Sequence, residues 1–262
     1  MSAGSALHDL KNIKEPIIAC DLADDVLSAT NQTVAEWHND AHGTNIDLSH
    51  FLYYYYWRNP GWGSPRETAR KVEEYYKTNR IDNALPILGA LDGVKRLKEM
   101  GFKLVVVTAR TIRERERSLI WVDLHFPGIF ETVICTGQSQ ETTFADGHEL
   151  ITKLTKADVC KEINAKVLID DSAENAFKTA AAPHPVTVLL FGNYTWNRRW
   201  AKVRAEAEEL GHEEKNKVEN GREWWKDDEF ELPQPGLRIH RTENWDAVVE
   251  WVRQAKADGH WE

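Results

Sequence analysis

The sequence predicts an α/β protein built on a doubly wound parallel sheet, and three observations carry that expectation. Short apolar runs recur along the chain and read as strands buried on both faces, because a strand with one wet face would alternate polar and apolar residues. Stretches of helical period separate these runs, which is the strand, helix, strand order of a parallel sheet with crossover helices. Three of the runs also end abruptly in polar residues: Ile17 to Cys20 in Asp21, Lys103 to Val107 in Thr108, and Val167 to Ile169 in Asp170 and Asp171. Open α/β sheets bind ligands outside the carboxyl ends of their strands, so acid, hydroxyl and acid are expected to meet at one sheet edge.

Taken in order, residues 1 to about 15 form a polar lead-in, and Pro16 opens the first strand. The stretch SATNQTVAEWHNDAHG sets Val34, Trp37 and His38 at helical spacing, with Ser28 or Thr30 as caps and Gly43 as a stop. Ser64-Pro65-Arg66-Glu67 is a strong helix start that leads through Val72, Tyr75 and Tyr76. Residues 28–88 thus interrupt the sheet with helices and read as a small helical cap, leaving 1–27 and 89–262 as the core. The core resumes with an amphipathic helix from Leu91 to Met100 and a strand from Phe102 to Thr108. A helix from Arg110 to Asp123, a strand from Glu131 to Thr136 and a polar hairpin or loop from Gln138 to Leu154 follow. The Lys156 to Ile163 helix, the Val167 to Asp170 strand, a helix from Ser172 and a last core strand from Val186 to Phe191 complete the pattern. A charged insert spans about 198–235, and its part from Glu213 to Asp228 reads as solvated, compatible with partial disorder and without chemistry. Leu237 to His240 and a closing helix from Trp245 to Ala255 read as a terminal docking element.

Composition narrows the function classes. A formal charge of −9 over 262 residues argues against a large nucleic-acid surface, which needs clustered Lys and Arg. Three cysteines, two of them within apolar runs, make no disulfide framework and point to a reducing compartment. No apolar run approaches the ~20 residues of a membrane span, and the first residues lack an apolar signal core, so a cytoplasmic or nuclear location is expected.

Carboxylates crowded at the ends of buried strands repel one another, and a bound hard cation, most often Mg²⁺, is the usual relief. Each residue also has an ordinary reading. The acids can close a strand as a solvated turn, Thr108 can cap a helix, Lys156 can be solvated with Lys153 as its competitor, and Arg110 can be an exposed helix residue.

In these segments the chain resembles the haloacid dehalogenase superfamily of phosphotransferases. The family's Asp-x-Asp motif is similar to CDLADDVL, its strand-end hydroxyl to VVVTAR with Thr108, its helix-opening Lys to Lys156 in TKADVCKEI, and its last acidic motif to LIDDSAEN. Within it, the DDVL start, the IDDS ending and LFGNYTWN resemble the 5'-nucleotidase-like and 5'(3')-deoxyribonucleotidase-like hydrolases. The resemblance implies a Mg²⁺-dependent phosphomonoester hydrolase working through an aspartyl-phosphate on Asp21. It implies that Mg²⁺ sits among Asp21, the backbone carbonyl of Ala23, and Asp170 or Asp171, with Asp170 in direct contact and Asp171 behind it. Thr108 and the backbone N–H groups of Ala109 and Arg110 would hold phosphate oxygens, and Lys156 would pair with both nucleophile and phosphate.

The sequence departs from the family where the general acid belongs, two residues after the nucleophile, for that position is Ala23. If the loop is anchored at Asp21, it carries one extra residue and Asp24 takes the proton transfer. If it is anchored by Asp24-Asp25-Val26-Leu27, Leu22 falls at the nucleophile's position, and leucine cannot do that chemistry. The alternative to an enzyme is therefore a catalytically impaired relative that binds a phosphorylated ligand or a protein partner.

Phe51, Tyr53 to Tyr56, Trp57 and Trp62 crowd one short stretch of the cap. One face of a helix or strand cannot bury so many consecutive rings, so some line a cleft or a subunit contact, and a homo-oligomer is compatible with them. Bases stack on rings at ~1–3 kcal/mol each, which makes Tyr54, Tyr56 and Trp57 candidate contacts for a nucleoside monophosphate among small phosphorylated substrates. The rest of the cluster serves equally well as the cap's own core.

Overall fold

The structure, a computed structural model, describes residues 10–22, 25–137, 154–201 and 210–261. Six strands form one sheet: β1 (Ile17–Cys20), β2 (Lys103–Thr108), β3 (Phe130–Cys135), β4 (Ala165–Asp170), β5 (Thr187–Phe191) and β6 (Ile239–Thr242). Every neighbouring pair is parallel, in the order β3-β2-β1-β4-β5-β6. The order reverses between β1 and β4, which is where an open doubly wound sheet leaves a crevice at its carboxyl edge.

Burial on both faces explains the continuous apolar runs. Ile18 and Cys20 face one core with Val106, Ile169 and Leu189, and Ile17 and Ala19 face a second with Val105, Leu168 and Val188. Helices α3 (Ala90–Glu99), α4 (Arg115–His125) and α8 (Trp245–Ala257) close the first face. Helices α5 (Lys156–Glu162) and α6 (Ala173–Ala180) close the second. Among the described residues, no helix is long and apolar enough to cross a membrane.

Between β1 and α3 the chain leaves the sheet and returns through an antiparallel bridge of Ser28 with Pro86. Helices α1 (Thr30–His42) and α2 (Pro65–Tyr76) lie in this excursion. Helix α2 begins where the sequence predicts a start: Ser64 caps it by accepting from the Glu67 N–H, and Glu67 reaches back to the Ser64 N–H. The excursion has its own apolar cluster around Val34, Trp37, Phe51, Trp62, Tyr75 and Ile81.

Three elements differ from the sequence expectation. The helix expected from Arg110 starts at Arg115, after a tight turn over Ile112–Glu114. Thr108 and Arg110 still accept from the N–H groups of Thr136 and Gly137, so the chain stays tied to the end of β3 and cannot coil earlier. The sheet gains a sixth strand, β6, where a docking segment was expected, with Val188 beside Ile239 and Phe191 beside Thr242.

The third difference lies in the acidic insert, where α7 (His212–Val218) and a turn over Trp224–Asp228 form an ordered surface. Trp224 is buried and stacks on Tyr53 at 5.6 Å, whose hydroxyl donates to Asp228 Oδ2 at 2.7 Å. Specific partners in the 51–58 stretch therefore order a segment of low hydrophobicity. The expected hairpin or loop over 138–154 lies outside the described residues apart from Leu154, as does Lys153.

Candidate active site

Strand register brings the acids together. Cys20 lies beside Val106 on one side and Ile169 on the other, so Asp21, the next residue, is level with Val107 and Asp170. The Asp21 N–H donates to the Ile169 carbonyl at 2.9 Å, which carries the pairing one residue past β1. Asp21, Asp170 and Asp171 are all buried, and each offers a carboxylate oxygen within 4.8 Å of the others.

Lys156 enters from the first residue of α5. Thr155 caps that helix by accepting from the Asp158 N–H, and the Asp158 side chain accepts from the Thr155 N–H, which fixes where the helix begins. The buried Lys156 ammonium donates to Asp21 Oδ2 and, at 2.6 Å, to Asp170 Oδ2. Burial by itself would push this amine toward its neutral form. The Asp170 and Asp21 carboxylates outweigh burial and raise its pKa, so it is held as the cation.

The remaining oxygens are oriented too. Asp21 Oδ1 accepts from the Leu22 N–H at 2.8 Å, and Asp170 Oδ1 accepts from the Ser172 N–H at 2.9 Å and from Asn175 Nδ2 at 3.3 Å. Asp171 Oδ2 accepts from the Trp196 indole at 2.6 Å. Three buried carboxylates gathered around one ammonium make a strongly electronegative centre. An all-oxygen donor set this close suits a hard divalent cation of the Mg²⁺ class and not a soft one.

Leu22 belongs to the apolar core, and Asp21, the residue before it, accepts from Lys156. Ala23 and Asp24 lie outside the described residues. Asp25, just beyond, is buried at φ 74°, a left-handed conformation that Asp tolerates better than most residues, and its N–H donates to the Ser28 carbonyl.

Thr108 is buried at the next strand end, its hydroxyl oxygen 3.4 Å from the Arg110 N–H that donates to it, with Ala109 buried between them. Arg110 is not an exposed helix residue. It is buried, donating to Ser118 Oγ at 3.0 Å and Thr30 Oγ1 at 3.5 Å, and so joins the end of β2 to the starts of α4 and α1.

The aromatic run divides. Phe51, Tyr53, Trp57 and Trp62 are buried, whereas Tyr54, Tyr55 and Tyr56 are half-buried. Tyr56 stacks on Trp62 at 4.4 Å and donates to Asn31 Oδ1 at 2.7 Å, in the first turn of α1. Trp57 leans on Tyr55 at 4.6 Å, and Tyr54 meets Tyr55 edge-on at 5.5 Å. Beyond Ser172 as a helix start, sequence reasoning did not show that Trp196, Ser172 and Asn175 bond the acids. The only signal for Trp196 was its place in LFGNYTWN, because a Trp in an apolar context reads as core.

Several solved structures share this fold. The chain is similar to protein tyrosine kinase A from Mycobacterium tuberculosis, with 14% identity and a TM-score of 0.53 over 92% of this chain and 99% of that one. It is similar to a Clostridium acetobutylicum protein described as a predicted phosphatase, with 13% identity and a TM-score of 0.52 over 92% of this chain and 99% of the other. A HAD family hydrolase from Deinococcus radiodurans R1, solved with bound phosphate and sodium, has 14% identity and a TM-score of 0.46 over 68% of this chain and 82% of that chain. No protein-family model matches the sequence, and no curated protein matches it.

Fold and site together define an α/β protein with a lysine-bridged cluster of buried carboxylates at the switch point of a parallel sheet. At 13–14% identity, the likeness to the Mycobacterium tuberculosis and Clostridium acetobutylicum structures is one of fold.

Proposed function

We propose that the protein is a Mg²⁺-dependent phosphomonoester hydrolase that forms an aspartyl-phosphate on Asp21 and acts on a small phosphorylated metabolite, of nucleotidase-like type. The observation that carries this reading is the buried Lys156 ammonium shared between Asp21 and Asp170, with Asp171 alongside. Its fold, shared with a protein described as a predicted phosphatase, is compatible with that class.

In this reading Asp21 Oδ1 or Oδ2 attacks phosphorus, the ester oxygen departs with a proton, and water then hydrolyses the acyl phosphate. Lys156 holds the nucleophile in place and offsets charge as it develops. The Thr108 hydroxyl and the N–H groups of Ala109 and Arg110 receive the phosphate oxygens. Mg²⁺ held by Asp21, Asp170 and the carbonyl of residue 23, with Asp171 behind, would supply charge neutralisation and in-line alignment. Asp24 is assigned the proton transfer, and Tyr54, Tyr56 and Trp57 the contact with a nucleobase.

Release of inorganic phosphate from a panel of nucleoside monophosphates, sugar phosphates and phosphopeptides, with and without Mg²⁺, tests this reading. Turnover that requires Mg²⁺ and disappears in Asp21→Asn is expected, and turnover that survives Asp21→Asn would overturn it. Deleting Ala23 restores the two-residue spacing. If loop length is limiting, the rate rises by up to the ~10²–10⁴ that a general acid contributes.

Ala23 itself favours a second reading, a non-catalytic relative that binds a phosphorylated ligand or a protein partner. That reading expects stabilisation by the ligand and no phosphate release from any member of the panel.

A further inference from the structure

The segment after β5 plays no part in the reaction above, yet it touches both acid-bearing loops. Gly192 turns the chain at φ 83°, and a side chain there would collide with the Tyr194 ring, which lies 2.1 Å from where a Cβ would be. Asn197 closes the turn by donating to the carbonyls of Phe191 at 2.8 Å and Gly192 at 3.0 Å, and Arg241 of β6 holds its Oδ1 at 2.7 Å. On this frame the Tyr194 hydroxyl donates to the Asp25 carbonyl at 2.7 Å, and the Trp196 indole donates to Asp171 Oδ2 at 2.6 Å. The two rings stack at 4.3 Å and 6°, so neither turns without the other.

Trp196 also belongs to the apolar cluster of the excursion between β1 and α3. Every other fully buried member of that cluster comes from residues 34–81, and Phe51 meets the indole edge-on at 6.2 Å. One side chain thus has its rings in the packing of residues 34–81 and its N–H on a carboxylate of the acidic centre. The bond to Oδ2 holds that oxygen toward the indole and so constrains the direction that Oδ1 faces.

We propose that Trp196 is a positioning residue that couples the seating of residues 34–81 on the core to the orientation of Asp171, and so to the affinity of the acidic centre for a divalent cation. This inference rests on reading Asp21, Asp170 and Asp171 as a cation site. When residues 34–81 pack against the core, the indole is clamped and the carboxylate is aimed. When that packing loosens, the N–H loses its aim and the carboxylate turns.

The test is Mg²⁺ binding by the full chain, measured by calorimetry and by the rise in thermal midpoint with Mg²⁺ concentration. Wild type is compared with Trp196→Phe, Phe51→Ala and the double variant. Trp196→Phe keeps a ring and loses the donor, and is expected to bind Mg²⁺ about tenfold or more weakly, as when the outer partner of a metal ligand is removed. Phe51→Ala touches none of the acids. It is expected to weaken Mg²⁺ binding several-fold in wild type and to add almost nothing in the Trp196→Phe background, the signature of two residues acting through one path. Unchanged affinity in Trp196→Phe, or an equal effect of Phe51→Ala in both backgrounds, overturns the coupling. Should Trp196→Phe not fold, Phe51→Leu decides alone, because unchanged affinity in that folded variant overturns it too. A wild type that binds no Mg²⁺ removes the cation reading itself, a result distinct from wild-type binding that Trp196→Phe leaves intact.

Discussion

The Lys156 ammonium meets Asp170 at 2.6 Å inside the protein and bonds Asp21 with the same nitrogen, so one cation bridges the ends of β1 and β4. Replacing it leaves two buried carboxylates without their counter-charge. Lys156→Met is therefore expected to destabilise the fold by about 3–5 kcal/mol, the usual cost of removing one partner of a buried ion pair. The thermal midpoint at pH 7 measures it, and a midpoint equal to wild type would show that the bridge carries no stability. The raised pKa of Lys156 also sets a pH window. Its contribution is fully present below the ordinary lysine value of 10.5 and is lost only as pH rises beyond that, so near neutral pH the Lys156 ammonium itself contributes no pH dependence.

A buried acid beside the site behaves in the opposite way. Glu174, in the first turn of α6, accepts from the Ala201 N–H at 3.2 Å, and burial raises its carboxyl from 4.5 to about 7 against the pull of nearby N–H groups. Below about pH 4.5 the folded and unfolded chains both carry the proton and Glu174 contributes nothing. Between about 4.5 and 7 the unfolded chain gives up its proton first, so stability falls as pH rises, and above about 7 the full penalty stays. That penalty is on the order of 3 kcal/mol. Glu174→Gln, which keeps an acceptor for Ala201, is expected to melt above wild type at pH 8 and to lose that advantage toward pH 4.5. Parallel melting curves at the two pH values would refute the assignment.

How far the sequence disclosed this arrangement depends on where each interaction closes. Asp21, Thr108, Asp170 and Asp171 were legible because parallel strands buried on both faces are uniformly apolar, which makes a polar residue at their ends conspicuous. Lys156 was legible only by its order relative to those ends. β6 was not, because this short edge strand buries only Ile239 and Thr242, with His240 exposed and Arg241 half-buried between them. The Trp196 to Asp171 bond was invisible for a different reason, since nothing local distinguishes an indole that fills space from one that also aims an N–H.

The turn at Gly192 tests whether the brace around Tyr194 is tightly built. A side chain at this position must adopt a left-handed conformation and also displace the Tyr194 ring. The conformational term alone is about 1–2 kcal/mol. Gly192→Ala is expected to lose at least that much, read as a lower denaturant midpoint at unchanged slope. A loss within ~0.5 kcal/mol, the range of ordinary surface changes, would mean that Tyr194 moves aside freely.

The insert offers the sharpest contrast between composition and structure. Residues 213–228 are rich in charge, yet Trp224 is buried between Tyr53, stacked at 5.6 Å, and the Lys215 ammonium, 4.0 Å from its ring centre. The Tyr53 hydroxyl closes the contact on Asp228 at 2.7 Å, and Asp228 also pairs with Arg58 at 3.6 Å. What orders the insert is thus a partner far away in sequence, which no local pattern reports. Tyr53→Phe keeps the stack and removes one hydrogen bond to a carboxylate, worth about 1.5–3 kcal/mol when buried and less here, because Asp228 is partly exposed and keeps Arg58. The variant is expected to lower global stability by about 1 kcal/mol at most and to raise amide hydrogen exchange over residues 212–228 well above that of the sheet. The selectivity follows because local opening of the insert leaves the parallel strands paired. Equal exchange in variant and wild type across 212–228 would show that the Tyr53 to Asp228 bond does not hold the insert.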